Sequence, residues 1–249
     1  MKRSRQSRYD GALMMKGTAV ICFLVMTGIA HPQSLNPATF VSLHASHDVP
    51  LETDPISAFW KKASPIYIVG DNWGKAVPGY RTEVRSRWTK DSLYILFVCP
   101  YRKLNLKPNP STTTETNQLW NWDVAEIFIG SDFQNIRHYK EFEMSPQGEW
   151  VDLDINLNRS HHEDGWTWNS GFQVAARIDP SAKIWYGAMR IPSSAIDPHA
   201  LRLGATFRAN LFRVEGPSGD KKSLSWQPTM SETFHVPEKF GRLVLAGVY

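Results

Sequence analysis

The sequence predicts an all-β protein, an antiparallel sandwich of roughly nine to eleven short strands. Runs of alternating or wholly apolar residues recur along the chain, turns rich in Gly, Pro and Asn separate these runs, and helical spacing of apolar residues over ten or more positions is absent. Short strands between turns are typical of a sandwich, in which each sheet buries one face against the other. The sequence contains no internal repeat, so a single domain accounts for the pattern.

Residues 1–30 have the pattern of a secretory signal peptide. Basic residues such as Lys16 precede an apolar run from Ala19 to Ala30, which has the length of a signal-peptide core and is too short to span a bilayer. We expect cleavage near Ala30, a secreted or periplasmic product and no membrane contact after cleavage. An uncleaved membrane anchor is the alternative.

The positive charge of the chain belongs to this leader. Of 28 Lys plus Arg and 24 Asp plus Glu, five basic residues and one acidic residue lie in residues 1–30, which leaves 23 of each in the remainder. Nucleic-acid binding needs a basic face on the folded domain. A neutral domain therefore predicts no nucleic-acid partner.

Residues 31–49 are predicted to be a polar linker, and residues 50–249 are predicted to be the β-sandwich domain. RTEVRSRW, from Arg81, alternates as a strand with one buried face does, whereas SLYILFVC, from Ser92, is apolar on both faces and predicts a central strand. Further strand-like runs follow in order, and they are VAEIFIG, FQVAARI, KIWYGAMRI, GATFRANLFRV, SLSW and RLVLAGV.

A hairpin is predicted within residues 139–157. Its centre, Ser145-Pro146-Gln147-Gly148, has Pro at the second and Gly at the fourth position of a four-residue turn. We expect the apolar residues of both strands to share one dry face and the acidic residues to share the other. The acidic residues are Glu141, Glu143, Asp152 and Asp154.

Two tryptophans, Trp120 and Trp122, lie just before the apolar run that contains Glu126. An indole beside carboxylates suits a sugar, whose C–H face stacks on the ring while its hydroxyls form hydrogen bonds with acidic and amide side chains. Packing of the loop is the alternative for each indole. A carboxylate at Glu126 is costly to bury unless water, an arginine or a ligand hydroxyl satisfies it.

Four segments of the chain occur in a distinctive order, and they are RSRWTKDSLYILFVC, LWNWDVAEIFIGSD, EFEMSPQGEWVD and FHVPEKFGRLVL. Together they resemble the family 9 carbohydrate-binding modules, and the resemblance extends over roughly residues 50–248. The resemblance implies an immunoglobulin-like β-sandwich that binds sugar-chain ends. Modules of this family are often joined to xylanases and related hydrolases, but this chain has no catalytic domain.

The resemblance also implies which residues bind the sugar. Trp120 and Phe234 match two aromatic residues that sandwich the terminal sugar, although the second is usually tryptophan. Glu126 matches a glutamate that accepts hydroxyl hydrogen bonds, and Asn210 matches a side-chain amide. Glu143 stands near the place of a sugar-binding arginine. Six extended residues span about 20 Å, so the loop with Trp120 must fold back over the strand, and Trp122 is expected to pack that loop.

We therefore expect a secreted, non-catalytic module that binds xylan- or glucan-type poly- or oligosaccharides and supports polysaccharide breakdown, with a separate glycoside hydrolase as a second partner. The alternative is a glycoside hydrolase that cleaves O-glycosyl bonds. Glu141 with Glu143, or Asp152 with Asp154, would lie about 7 Å apart on one face, as a catalytic pair can. A haem-binding sandwich is a third hypothesis and requires axial ligands such as Met144.

No metal site is predicted from spacing. His161-His162-Glu163-Asp164 lacks the further His or Cys that a zinc site needs, so this segment is predicted to be a solvated loop. Oxygen-rich loops are compatible with structural calcium, but no twelve-residue calcium loop occurs in the sequence. No cofactor is therefore assigned.

Overall fold

The computed structural model describes residues 38–247, so the predicted signal peptide and residues 31–37 of the predicted linker lie outside the described part. The strands are β1 (Thr39–His44), β2 (Ile66–Ile68), β3 (Gly70–Asp71), β4 (Thr82–Trp88), β5 (Ser92–Pro100), β6 (Val124–Gly130), β7 (His138–Met144), β8 (Trp150–Asn156), β9 (Gln173–Asp179), β10 (Ile184–Pro192), β11 (Thr206–Glu215), β12 (Lys222–Ser225) and β13 (Gly241–Ala246). One short α-helix, α1 (Ser193–Ile196), follows β10, and 3₁₀ helices span Trp60–Lys62, Leu119–Asn121, His162–Thr167 and Pro237–Lys239. None of the described helices is long and apolar enough to cross a membrane.

One connected sheet contains all thirteen described strands. Its main path runs β8-β7-β6-β11-β13-β1-β4-β5-β10-β9, with β12 beside β11, β3 beside β12, and β2 beside β4. The all-β class is confirmed. The prediction of an antiparallel sandwich of nine to eleven strands is wrong in strand number and in strand direction, because β1 runs parallel to both β13 and β4.

Strand β1 lies within the stretch predicted as a linker. Phe40 and Ser42 are buried, while Val41 between them is exposed. Ser42 is satisfied in the interior because its hydroxyl accepts a hydrogen bond from the Ser86 hydroxyl at 2.8 Å. A polar residue inside and an apolar residue outside remove the alternation that marks a strand. This explains why the sequence pattern misses β1.

The main hydrophobic core lies between the two halves of the sheet. It joins residues of β4, β5 and β10, such as Phe97 and Trp185, to residues of β6, β7 and β11, such as Ile127 and Leu211. A Cβ on Gly187 of β10 would lie 2.7 Å from Met144 Sδ of β7, so these strands pack closely face to face. Met144, the axial ligand of the haem hypothesis, is therefore a packing residue of this core.

The opposite face of β6, β7, β8 and β11 carries a second hydrophobic cluster, which includes Phe128, Leu153 and Phe212. Loops cover this face, and the partly buried side chains of Trp120 and Phe234 pack against it. The sheet thus has a second covered face, and the candidate site lies there.

The hairpin of β7 and β8 differs from the prediction by one residue in register. The Ser145 amide donates to the Glu149 carbonyl at 2.9 Å, which leaves a three-residue loop that ends at Gly148, where φ is 85°. A one-residue shift moves every side chain of a strand to the opposite face relative to its partner. Glu141 therefore pairs with Leu153, and Glu143 with Val151. The predicted separation into a dry and an acidic face is wrong.

Gly165 lets the 3₁₀ helix His162–Thr167 pack directly on β8. A Cβ at this position would lie 2.8 Å from the Asp154 carbonyl carbon, and backbone cannot move aside as a flexible side chain can. We expect Gly165→Ala to lower the free energy of unfolding by about 1–3 kcal/mol, measured by chemical denaturation. Gly247→Ala is the control, because its Cβ would meet only Leu203 Cδ1, at 3.6 Å. Equal stability of the two variants would contradict this account of Gly165.

Candidate functional site

A pocket of about 460 Å³ opens on the face that carries the second hydrophobic cluster. Its floor comes from β6, β7 and β8, and its walls come from the turn at Gln118–Trp120, the start of the 3₁₀ helix at His162, and the segment Glu232–His235. Pockets for small ligands have volumes of about 300–1,000 Å³. The pocket is therefore large enough for a small polar ligand.

Three of the four predicted site residues line this pocket, and they are Trp120, Glu126 and Phe234. Gln118 adopts a left-handed conformation with φ of 61° immediately before the 3₁₀ helix that carries Trp120. The chain thus folds back, and the indole reaches the same pocket as Glu126, as the predicted contact requires. The ring of Phe234 stacks on Phe212, with centroids 4.2 Å apart and planes 13° apart, and this stacking orients the second aromatic wall.

The fourth residue, Asn210, does not line the pocket. It is fully buried, and its Nδ2 donates to the Gln227 carbonyl at 2.9 Å while its Oδ1 accepts from the Gln227 amide at 3.0 Å. These bonds hold the segment that follows β12 against β11. The structure therefore does not bring Asn210 together with Trp120, Glu126 and Phe234.

Trp122 differs from Trp120 in its surroundings, although the two indoles are only two residues apart. It is partly buried, but it belongs neither to the pocket nor to any hydrophobic cluster of the described residues. The expectation that Trp122 packs the loop against the core is therefore wrong. Trp120 makes that contact with the second cluster.

Three glutamates lie together at the floor of the pocket, and we call Glu126, Glu141 and Glu143 the glutamate trio. Glu126 of β6 pairs directly with Glu143 of β7, and Glu141 follows two residues away on the same face. Their side chains can place one carboxylate oxygen each within 4.8 Å of the other two. The three residues are only 1%, 4% and 0% exposed.

The glutamate trio lacks the partners that usually accompany buried carboxyl groups. Four of its six oxygens, Glu126 Oε1, Glu141 Oε2 and both of Glu143, have no hydrogen-bond partner within the described residues. The nearby arginines are engaged elsewhere, since Arg208 donates to the Ile136 carbonyl and Arg213 pairs with Glu215. The arginine salt bridge considered for Glu126 is therefore not formed.

Burial shifts the proton equilibria of all three carboxyl groups. Desolvation raises the pKa of Glu126 and of Glu143 well above the ordinary value, and repulsion from the neighbouring glutamates raises both further. Desolvation also raises the pKa of Glu141 to about 7. Lys221, whose Nζ donates to the Trp120 carbonyl at 3.0 Å, acts in the opposite direction on the pKa of Glu126 and Glu143. A protonated carboxyl can donate as well as accept, so the floor can match hydroxyl groups in both roles.

Two histidines close one side of the pocket. The ring of His162 lies 4.6 Å from that of His235, and His235 Nδ1 is 2.7 Å from the Tyr139 hydroxyl. Burial, together with His162, lowers the pKa of His235 to about 4, so this ring is neutral at pH 7. The segment His161–Asp164 was predicted to be a solvated loop, but His162 and Glu163 line the pocket.

The sequence analysis missed the glutamate trio as a group because it assumed the wrong hairpin register. Pro146-Gln147-Gly148 is itself the signal that could have corrected it, because Gly at the third place of a three-residue loop takes the left-handed conformation. That register puts Glu141 and Glu143 beside Glu126 rather than on an outer acidic face. His235, which follows Phe234 directly, carried no separate signal.

The hydrolase hypothesis receives little support from the carboxyl groups of the hairpin. Asp154 lies on the other face of β8, where it pairs with Lys140 at 2.5 Å and His138 at 2.6 Å, and Asp152 accepts from the Ser170 amide at 2.7 Å. Glycosidases place an acid and an ionised carboxylate on the two sides of the scissile bond. Glu141 and Glu143 instead project from one strand into one floor, and burial raises the pKa of both.

Solved structures share this fold at low sequence identity. A family 9 carbohydrate-binding module from Caldicellulosiruptor kristjanssonii in complex with cellotriose has a TM-score of 0.60 and 13% identity, with 84% of this chain and 94% of that chain covered. A structure of a family 9 module from the same organism in complex with glucose has a TM-score of 0.59 and 13% identity, with 84% and 96% covered. A protein from Bacteroides uniformis ATCC 8492 has a TM-score of 0.63 and 16% identity, with 84% and 100% covered.

The sequence itself supplies the family assignment. A comparison with curated proteins found no match. The family model described as carbohydrate family 9 binding domain-like matches residues 55–248, which is most of the chain and agrees with the resemblance found in its motifs. The chain therefore belongs to the carbohydrate family 9 binding domain-like family.

Proposed function

We propose that this protein binds the end of a glucan- or xylan-type oligosaccharide in the pocket formed by Trp120, Glu126 and Phe234. The observation that carries this proposal is that these three residues, distant in the sequence, line one pocket with aromatic walls and a carboxyl floor. Cellotriose and glucose in the two similar family 9 structures support a gluco-oligosaccharide as the ligand.

The chemistry of the pocket suits a terminal sugar. Trp120 and Phe234 offer apolar surface to the C–H faces of the ring, and the glutamate trio offers oxygen atoms that lack partners within the described chain. Each sugar hydroxyl both donates and accepts hydrogen bonds, so a ligand can satisfy groups that are otherwise buried at a cost. Binding is thereby favoured by both contact area and hydrogen bonds.

Titration calorimetry with cellotriose, xylotriose and glucose tests this proposal. We expect one site per chain and tighter binding of cellotriose than of glucose if more than one sugar unit contacts the pocket. Assay of the same samples for new reducing ends tests the hydrolase alternative. Absence of heat with all three glycans, from protein with a native circular dichroism spectrum, would contradict the proposal.

We propose in addition that the protein acts without catalysis after export and supports polysaccharide breakdown by a separate glycoside hydrolase. The signal-like pattern of residues 1–30 and the neutral charge of the remaining chain support this location. Mass spectrometry of the protein recovered from the periplasm or medium should show a chain that begins near residue 31. Recovery of the intact leader in the cytoplasm would contradict export.

Glu126→Gln tests the role of the carboxyl in sugar binding. Glutamine keeps the volume but alters the donors and acceptors, so we expect a loss of about 0.5–1.5 kcal/mol in binding, roughly two- to twelve-fold in affinity, measured by calorimetry in metal-free buffer. Stability should not fall, because Glu126 forms no salt bridge within the described residues. Exposed Glu52, outside this pocket, gives the control variant Glu52→Gln. A lower melting temperature with unchanged affinity would instead indicate a structural role for Glu126.

A further inference from the structure

The glutamate trio has more negative charge than a sugar site requires. Three carboxyl groups can place oxygen atoms within 4.8 Å of one another, and each side chain is at least 96% buried. Both oxygens of Glu143 and one each of Glu126 and Glu141 have no partner within the described residues, although all three side chains line the pocket. Partnerless buried oxygens that converge on one point indicate a missing positive ligand.

The cationic groups around the trio do not supply that charge. Lys221 is exposed, and its Nζ is engaged with the Trp120 carbonyl at 3.0 Å. His235 Nε2 lies 4.0 Å from Glu141 Oε2, beyond hydrogen-bond distance. The arginine that the family pattern would place near this region is replaced by Glu143, so the substitution removes a positive charge and adds a negative one.

We propose that Glu126, Glu141 and Glu143 together bind one hard divalent cation, such as Ca²⁺ or Mn²⁺, at the floor of the pocket. Carboxylate oxygen is the preferred ligand of Ca²⁺, which takes six to eight oxygens in flexible geometry, and it also suits Mn²⁺. Two adjacent strands hold the trio, with Glu126 directly opposite Glu143, so the ligand set is rigid and already assembled. The positive charge of the ion would offset the mutual repulsion of the carboxylates.

The cation would also take part in sugar recognition, and this step rests on the proposed function. Three glutamates cannot supply six to eight ligands unless each is bidentate, so positions that face the pocket between Trp120 and Phe234 would remain for water or sugar hydroxyls. Two neighbouring hydroxyl groups of a terminal sugar could then replace two waters. The ion would thus select sugars with a suitable hydroxyl pair.

The direct test uses purified protein freed of metal with EDTA and then titrated in the absence of any glycan. CaCl₂ is followed by calorimetry and MnCl₂ by electron paramagnetic resonance, with MgCl₂ as the comparison for a smaller cation. We expect one Ca²⁺ or Mn²⁺ per chain. The double variant Glu126→Gln, Glu143→Gln should bind about a hundred-fold more weakly, or ten-fold per carboxylate, while Glu52→Gln should bind as the parent does.

Two results would overturn the cation site. One is the absence of binding at millimolar metal by parent protein with a native circular dichroism spectrum. The other is equal binding by the parent and by each of the single variants Glu126→Gln, Glu141→Gln and Glu143→Gln, which would place the ion elsewhere. Glutamine has nearly the volume of glutamate, and circular dichroism of each variant verifies that it is folded.

A cellotriose titration in CaCl₂ and in EDTA separates this inference from the proposed function. Coupled sites affect each other reciprocally, so Ca²⁺ should raise the affinity for cellotriose by at least about five-fold, and cellotriose should raise that for Ca²⁺ equally. Metal binding without glycan binding would support the cation site and contradict the proposed function. Cellotriose binding without any metal binding would do the reverse, and identical affinities in the two buffers would overturn hydroxyl coordination by the ion.

Discussion

Trp120→Ala should lower the affinity for cello-oligosaccharides by roughly ten- to a hundred-fold. The indole forms one wall of the pocket, and contact of a sugar face with it is worth about 1.5–3 kcal/mol when apolar contact dominates. Every 1.4 kcal/mol corresponds to about ten-fold in affinity. Titration calorimetry with cellotriose measures the loss. Because Trp120 also packs against the second hydrophobic cluster, the titration should be run well below the melting temperature of the variant.

Trp122→Ala is the matched control for this experiment. It removes the same side chain two residues away, from a position outside the pocket and outside the hydrophobic clusters of the described chain. We expect its affinity for cellotriose to stay within about two-fold of the parent, since it removes no contact in the pocket. If Trp122→Ala abolishes binding while Trp120→Ala retains it, the sugar site lies elsewhere.

The parts of the fold that the sequence predicts well are those in which burial follows the strand period. The apolar residues of SLYILFVC and VAEIFIG predict central strands, and β5 and β6 are buried almost throughout. Such runs are readable because a strand covered on both faces leaves few positions for polar residues. Glu126 is the exception within VAEIFIG, and that exception marks the pocket.

The parts that the sequence does not predict depend on one-residue shifts and on distant pairing. The hairpin register follows from whether Gly148 closes the turn or ends a three-residue loop, and this choice decides which face carries Glu141 and Glu143. Strand β1 is recognisable only by its parallel neighbours, β4 and β13, which are remote in sequence. Parallel pairing leaves no local turn signal that could indicate it.

The same limits apply to the site. Trp120, Glu126 and Phe234 reach one pocket as the family resemblance implies, because the turn at Gln118 returns the chain over β6. Asn210 occupies a neighbouring strand, but its amide is engaged by Gln227, a contact that no local pattern reveals. A residue type and its strand can thus be right while a tertiary hydrogen bond removes the side chain from the site.

Glu141→Gln should stabilise the metal-free protein at pH 8 but change it little at pH 5. Burial raises the folded-state pKa of Glu141 to about 7, above the ordinary value of 4.5 that applies when the chain is unfolded. Between these values the folded state keeps a proton that the unfolded state releases, so stability falls as pH rises from about 4.5 to about 7. At about 1.4 kcal/mol per pKa unit, this effect is on the order of 3 kcal/mol at pH 8, and glutamine removes it.

Chemical denaturation of parent and variant in EDTA, at pH 5 and at pH 8, measures this difference. The gain in unfolding free energy on mutation should be larger at pH 8, because repulsion from Glu141 also raises the pKa of Glu126 and Glu143 and is relieved by the change. Exposed Glu52 supplies the control, and Glu52→Gln should change stability equally at both pH values. If Glu141→Gln also changes stability equally at both, the carboxyl group is solvated in solution, and the glutamate trio does not store the repulsion that its burial implies.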